Sequence, residues 1–211
     1  MPRNIKPVEP FGPERHLDLQ ADLHFAFDWI IRGKMVLDVG AGLGKSKARI
    51  RHNIVTTHEP SEHCRGLVDI CGPLVLAHAA PHQVVTAFEV LEHVEDDVGF
   101  LRSIDKLATE AIFLTTPNWD VTQCISRQHY REYTRAELMS LIVDVWPNRP
   151  AMLLEYRKDA EGGWVANPIE TSLSTCLKHV VLIDKNMNSH DVQRAEMIME
   201  CPWEVYARGQ L

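Results

Sequence analysis

The sequence predicts an α/β protein with a ligand site at the carboxyl edge of its sheet, and two stretches predict it. The first is Met35-Val36-Leu37-Asp38-Val39-Gly40-Ala41-Gly42-Leu43-Gly44-Lys45-Ser46, where an apolar strand runs into a glycine-rich turn and a helix start. Strand, glycine turn and helix in that order build a nucleotide site where the strands of an open α/β sheet end. Glycine lets the backbone approach a ligand closely and take up positive φ. Apolar residues in succession mark a strand buried on both faces, as in parallel sheets. The second stretch is Val84-Val85-Thr86-Ala87-Phe88, a strong β signal that runs straight into Glu89-Val90-Leu91-Glu92-His93-Val94.

The glycine turn fits neither common phosphate pattern. A P-loop needs a glycine five residues before Gly44, and Val39 stands there; in the dinucleotide fingerprint the third glycine comes one residue later than Gly44. Asp38 at the mouth of the turn repels phosphate and suits a cationic ligand. A tight turn without ligand is the plain alternative. In Val36–Gly44 the chain resembles the class I S-adenosylmethionine-dependent methyltransferases, whose cofactor carries an ammonium and a sulfonium and no phosphate. The resemblance implies a Rossmann-like fold, with a seven-stranded, mostly parallel sheet and helices on both faces. It implies one domain over residues 1–211, with a cofactor-binding core over 14–145 and C-terminal strands with a variable insert over 146–211.

Size and composition agree with such a chain. Its 211 residues suit one domain of ordinary size, and 45% hydrophobic and 24% charged residues are normal for a globular protein. A net charge of −7 disfavours nucleic acid as a partner without excluding a local basic patch. No apolar run reaches the roughly 18 residues of a membrane span, and the start lacks the apolar core of a signal peptide. The five cysteines, Cys64, Cys71, Cys124, Cys176 and Cys201, are odd in number and form no Cys-x-x-Cys pair. Reduced thiols in a cytoplasmic protein are the expectation.

Along the chain, the proline-marked residues 1–13 read as an irregular arm, and Glu14–Arg32 as a helix with Leu19, Leu23, Ala26 and Ile30 on one face. After the glycine turn, Lys45–Arg51 reads as a basic helix, Ile54–Thr57 as the second strand and Leu67–Ile70 as the third. Helices are expected over Asp96–Leu107 and after the capping box Thr134-Arg135-Ala136-Glu137, the latter stopped by Pro147. Ala111–Thr116 reads as the fifth strand, and Ala151–Tyr156 and Val205–Ala207 as the last two. Between those lie a Gly162-Gly163 turn, a helix over Ile169–His179 and the apolar Val180–Ile183.

Glu59 follows the second strand about 20 residues after the first glycine, where an acid accepts hydrogen bonds from ribose hydroxyls. The resemblance implies that Asp38, Gly40, Gly42, Glu59 and Asp69 hold S-adenosylmethionine, with Phe88 and Glu89 bordering it. Asp69 matches the acid near the adenine amino group, and a surface aspartate is the alternative. Glu-Val-Leu-Glu-His-Val after strand four is similar to the ubiquinone-biosynthesis O-methyltransferases, and His129–Thr134 resembles the same group. The Asp/Asn-Pro-Pro-aromatic motif of amino-methylating DNA enzymes and the Pro-Cys of cytosine-5 enzymes are both missing.

Glu89, Glu92, His93 and the distant His129 share a face if Glu89–His93 is one helical turn. Two carboxylates and two imidazoles suit a divalent ion, magnesium or manganese, that lowers the pKa of an acceptor hydroxyl. This set is similar to the metal site of small-RNA 2′-O-methyltransferases. The alternative is that Glu89 and Glu92 brace the loop while His93 acts as general base or substrate contact; His93 and Glu92 are the candidate catalytic residues. The expected reaction is O-methylation of a small-molecule or sugar hydroxyl. A metal-dependent 2′-O-methyltransferase acting on an RNA end stays open, as do a non-catalytic cofactor-binding partner module and a kinase or ATPase built on Gly44-Lys45-Ser46.

Overall fold

The computed structural model describes residues 31–50, 53–75, 80–123, 126–147, 151–158, 164–168 and 178–185. Its strands are β1 (Met35–Val39), β2 (Ile54–Glu59), β3 (Ile70–Cys71), β4 (His82–Phe88), β5 (Ala108–Pro117), β6 (Ala151–Lys158), β7 (Trp164–Pro168) and β8 (Lys178–Asp184). They form one sheet in the order β3-β2-β1-β4-β5-β8-β6-β7. The neighbours from β3 to β5 are parallel, whereas β8 runs antiparallel to both β5 and β6, and β7 antiparallel to β6. Six strands therefore point one way and two the other. The sheet crosses the expected division at residue 146, so the strands after it extend the same layer.

Successive side chains of a strand point to opposite faces, and both faces here are apolar. Leu37, Val39, Val85, Ala87, Ile112, Leu114, Val181 and Ile183 pack on one side with helices α2 (Asp97–Leu107) and α4 (Arg135–Val145). Val36, Val84, Phe88, Phe113, Val180 and Leu182 line the other with Ile31 and Ile50. Helix α2 is capped by Asp96, whose side chain accepts from the Gly99 N–H at 2.9 Å. It buries Leu101, Ile104 and Leu107 at helical spacing. Helix α4 starts with the expected capping box, Glu137 N–H donating to Thr134 Oγ1 at 3.2 Å and Thr134 N–H to Glu137 Oε2 at 2.9 Å. Two single-turn helices, α1 (Ser46–Arg49) and α3 (Trp119–Thr122), follow β1 and β5.

Several expectations shift. Among the described residues the sheet has eight strands where seven were implied. The third strand begins at Ile70 rather than Leu67, because the bends at Val68 and Asp69 precede it. The fifth begins at Ala108, so α2 passes into β5 without an intervening turn. His179 belongs to β8 and not to a helix. The helix expected over Glu14–Arg32 lies almost wholly outside the described residues, and the strand expected at Val205–Ala207 entirely so.

Among the described residues His58, His82 and His179 are buried and His93 is half-buried. Burial lowers the pKa of His58, His82, His93 and His179 below the ordinary 6.5, that of His93 to about 4. A bond from the His93 ring to the Gln128 carbonyl opposes the shift, and the neighbouring His129 adds to it. Between the folded and unfolded values the unfolded chain binds more protons. The stabilisation is therefore complete above 6.5 and is lost as pH falls toward 4.

Two stability measurements follow from this packing. Ile104→Ala removes a fully buried side chain from the α2 face and is expected to lower the unfolding free energy by roughly 2–5 kcal/mol in urea titrations. Lowering pH from 8 to 5 is expected to reduce stability by about 2 kcal/mol through His93 alone, and His93→Ala flattens that dependence. A profile level from pH 8 to 5 would contradict the burial of neutral imidazoles.

Candidate functional site

The order of strands reverses between β1 and β4, and an open sheet places its ligand crevice at the carboxyl ends of such a pair. Asp38 on β1 lies in register with Thr86 on β4, and the Thr86 hydroxyl donates to Asp38 Oδ1 at 2.8 Å. Both residues are fully buried. Past Val39 the chain takes φ of +71° at Gly40 and +55° at Gly42. A Cβ on Gly40 would collide with Val90 Cγ2, so only glycine lets this turn lie against the segment that follows β4. The Gly42 N–H donates to Glu59 Oε2 at 3.0 Å, and the Ser61 N–H to Oε1 at 3.1 Å. Glu59, buried at the end of β2, thus ties the glycine turn to the neighbouring strand.

Asp69 is held by its own set of partners. It precedes β3, pairs with Lys47, and accepts from Thr57 N–H at 2.8 Å and Thr57 Oγ1 at 3.0 Å. These partners lower its pKa against the opposing effect of burial, the largest single influence on it. Its carboxylate braces β2 at Thr57, the residue in register with Asp38. The Phe88 ring packs in the core with Val84 and Phe113 at the end of β4.

The segment after β4 is not one helical turn. Glu89 has φ of +56°, and only Leu91–His93 closes a 3-10 turn. Thr115 on β5 holds Glu89 at both ends: its carbonyl accepts from the Glu89 N–H at 3.0 Å, and its hydroxyl donates to Glu89 Oε1 at 2.9 Å. Glu89 is accordingly outside the cluster of potential ligands. That cluster is Glu92, His93 and His129, with one donor atom of each within 4.8 Å of the others.

Glu92 is 1% exposed. Its carbonyl accepts from the Tyr130 N–H at 2.7 Å, which fastens the loop carrying His129 to the 3-10 turn. The rings of His93 and His129 meet edge to face with centroids 4.6 Å apart. His93 Nδ1 lies 2.9 Å from the Gln128 carbonyl, and His129 Nδ1 lies 2.7 Å from Glu132 Oε1. Carbonyl and carboxylate oxygens only accept, so both rings carry a proton on Nδ1, and in the neutral imidazole the lone pair is then on Nε2. His93 Nε2 is 3.9 Å from Glu92 Oε1. The loop is held further by the Arg131–Asp97 ion pair and by the Tyr133 hydroxyl, which donates to Asp97 Oδ2 at 3.0 Å.

Sequence reasoning did not single out Thr86, Thr115 or Glu132. The first two are visible only once strands are set in register, whereas His129-x-x-Glu132 is a spacing already present in the chain.

No protein-family model matches the chain, and no curated protein sequence matches it significantly. Solved structures do. An S-adenosylmethionine-dependent methyltransferase of Thermotoga maritima, a possible histamine N-methyltransferase, superposes with a TM-score of 0.57 at 13% identity, covering 82% of this chain and 92% of its own. The magnesium protoporphyrin IX methyltransferase of Synechocystis with bound S-adenosylhomocysteine gives 0.56 at 14% identity, covering 79% and 82%. The plantazolicin methyltransferase in complex with S-adenosylhomocysteine gives 0.54 at 16% identity, covering 82% and 84%. The chain therefore has the Rossmann-like fold of the class I methyltransferases.

Proposed function

We propose that this protein is an S-adenosylmethionine-dependent methyltransferase that methylates a hydroxyl of a small molecule, with a divalent ion held by Glu92, His93 and His129. The carrying observation is the pair of imidazoles whose Nδ1 protons are both fixed by acceptors beside a buried carboxylate. Histidines that bind metals characteristically donate their other ring N–H to a carboxylate or carbonyl. The donor set therefore fits an ion, and two imidazole nitrogens to one carboxylate favour manganese over magnesium.

Asp38, Glu59 and the Gly40–Gly44 turn are assigned to the cofactor. Asp38 gives the β1 edge a negative charge toward a cationic ligand, and Glu59 keeps acceptor capacity beyond its two backbone N–H partners. When bound, S-adenosylmethionine supplies an activated methyl group, and a divalent ion supplies Lewis acidity toward an acceptor hydroxyl. His93 is neutral at pH 7 with its pKa near 4. That makes it a ready ligand and a poor general base, since an efficient base has a pKa near the working pH. The ligand role is therefore preferred for His93. A small acceptor is supported by the names of the magnesium protoporphyrin IX and plantazolicin enzymes and by the net charge of −7, which disfavours an RNA substrate.

Calorimetric titration with S-adenosylhomocysteine tests the reading. Wild type is expected to bind at one site, and Asp38→Ala to lose at least about tenfold in affinity, the scale of one charged hydrogen-bonded contact. Manganese is expected to bind wild type, and Glu92→Gln with His129→Ala to abolish that while retaining S-adenosylhomocysteine. Folded protein that binds no S-adenosylhomocysteine would overturn the enzyme assignment. Cofactor binding without any manganese binding would overturn the metal alone.

A further inference from the structure

We propose that Glu132 is a positioning residue, which fixes His129 in the tautomer and orientation that present Nε2 to Glu92 and His93. The inference rests on the metal-dependent reading above for its consequence, though its geometry stands independently. Glu132 is 3% exposed in a loop between α3 and α4, where an unpartnered carboxylate would be strongly disfavoured. Its two oxygens are divided among three donors. Oε1 accepts from His129 Nδ1 at 2.7 Å and from the Ser126 N–H at 3.2 Å, and Oε2 accepts from Thr122 Oγ1 at 3.4 Å. Thr122 closes α3, and Ser126 opens the turn that leads to His129. One buried carboxylate thus joins the end of α3, the start of the His129 turn and the imidazole itself.

The direction of these bonds gives Glu132 its specific task. An imidazole free in water distributes its proton between both nitrogens, and only the form protonated at Nδ1 leaves Nε2 able to bind. A carboxylate against Nδ1 selects that form and holds the ring plane. His93 obtains the same selection from a backbone carbonyl, which no side-chain substitution removes. His129 depends on a side chain, so this half of the cluster is open to mutational test.

The substitutions separate positioning from charge. In Glu132→Gln the amide oxygen can take both bonds of Oε1, and the Thr122 hydroxyl can turn to accept from the amide nitrogen. In Glu132→Ala all three bonds are lost. The first measurement is made on metal-free protein with ¹⁵N-labelled histidine, whose ring nitrogen shifts report which nitrogen carries the proton. His129 is expected as the Nδ1–H tautomer in wild type and Glu132→Gln, and to lose that preference in Glu132→Ala. The second is manganese titration, in which Glu132→Ala is expected to weaken binding by about 10–100-fold, while Glu132→Gln stays near wild type. S-adenosylhomocysteine affinity is expected to be unchanged in both, which shows that the sheet edge is intact.

An Nε2–H tautomer in wild type overturns the assignment without any variant. So does manganese affinity in Glu132→Ala equal to wild type, or a Glu132→Gln as impaired as Glu132→Ala. A tautomer change in Glu132→Ala from a protein that binds no manganese upholds the positioning role and overturns only the metal.

Discussion

The close approach of Gly40 to Val90 is the constraint on which the rest of the site depends. Parallel pairing sets β1 beside β4, with Asp38 level with Thr86. Pairing alone would leave the two following segments free to diverge. The glycine brings them together, because its missing side chain is the space that Val90 Cγ2 fills. The turn after β1 and the segment after β4 consequently share one surface, with Asp38 and Glu59 on its β1–β2 side and Glu92 and His93 beyond Val90. Any residue with a side chain at position 40 would also have to adopt the positive φ that glycine takes without strain.

Strain that glycine avoids at position 40 is accepted at position 89. Glu89 is a non-glycine residue with φ of +56°, a conformation worth of order 1–3 kcal/mol that persists only where surroundings enforce it. Thr115 enforces it with hydrogen bonds to both the backbone and the side chain of Glu89. This reversal frees the next residues to start a separate 3-10 turn, so Glu92 turns inward and meets the loop that carries His129. The helical turn expected from the sequence would have ranged Glu89 with Glu92 and His93. The tertiary grip of β5 instead separates Glu89, bound to Thr115, from Glu92 and His93, which meet His129.

What the sequence revealed and what it hid follow from the range of the forces involved. Strands β1 and β4 declare themselves because both faces are covered, which writes a continuous apolar run. Helix α4 declares itself through Thr134 and Glu137, a capping contact three residues long. The two-residue β3 carries no such pattern, and its position is set by pairing His58 with Ile70. Asp69 matched a family position by residue type, but its partners Thr57 and Lys47 are 12 and 22 residues away. The strands β7 and β8 follow from antiparallel pairing across the far side of the sheet, which neither the diglycine at 162–163 nor the apolar run at 180–183 specifies alone. In the candidate site, Asp38, Glu59, Glu92, His93 and His129 were readable as types at spacings. The grouping of Glu92 with His93 and His129 came with the resemblance; the residues alone did not show its supports, because Thr86, Thr115 and Glu132 act through tertiary contacts.

The two halves of the edge are ordered by different means, and this bears on how it could work. Asp38 and Glu59 are placed by strand register and by backbone N–H groups of the glycine turn. His129 sits on a loop, yet that loop is fastened at four points: Tyr130 N–H to the Glu92 carbonyl, Arg131 and Tyr133 to Asp97 at the head of α2, and Glu132 to α3. Asp97 is itself in the first turn of a helix packed by Leu101, Ile104 and Leu107 on the same apolar face that buries Tyr133. The loop therefore inherits the rigidity of the core. A cluster of side chains held in this way is ordered in advance, so the energy of binding anything there need not be spent on assembling it.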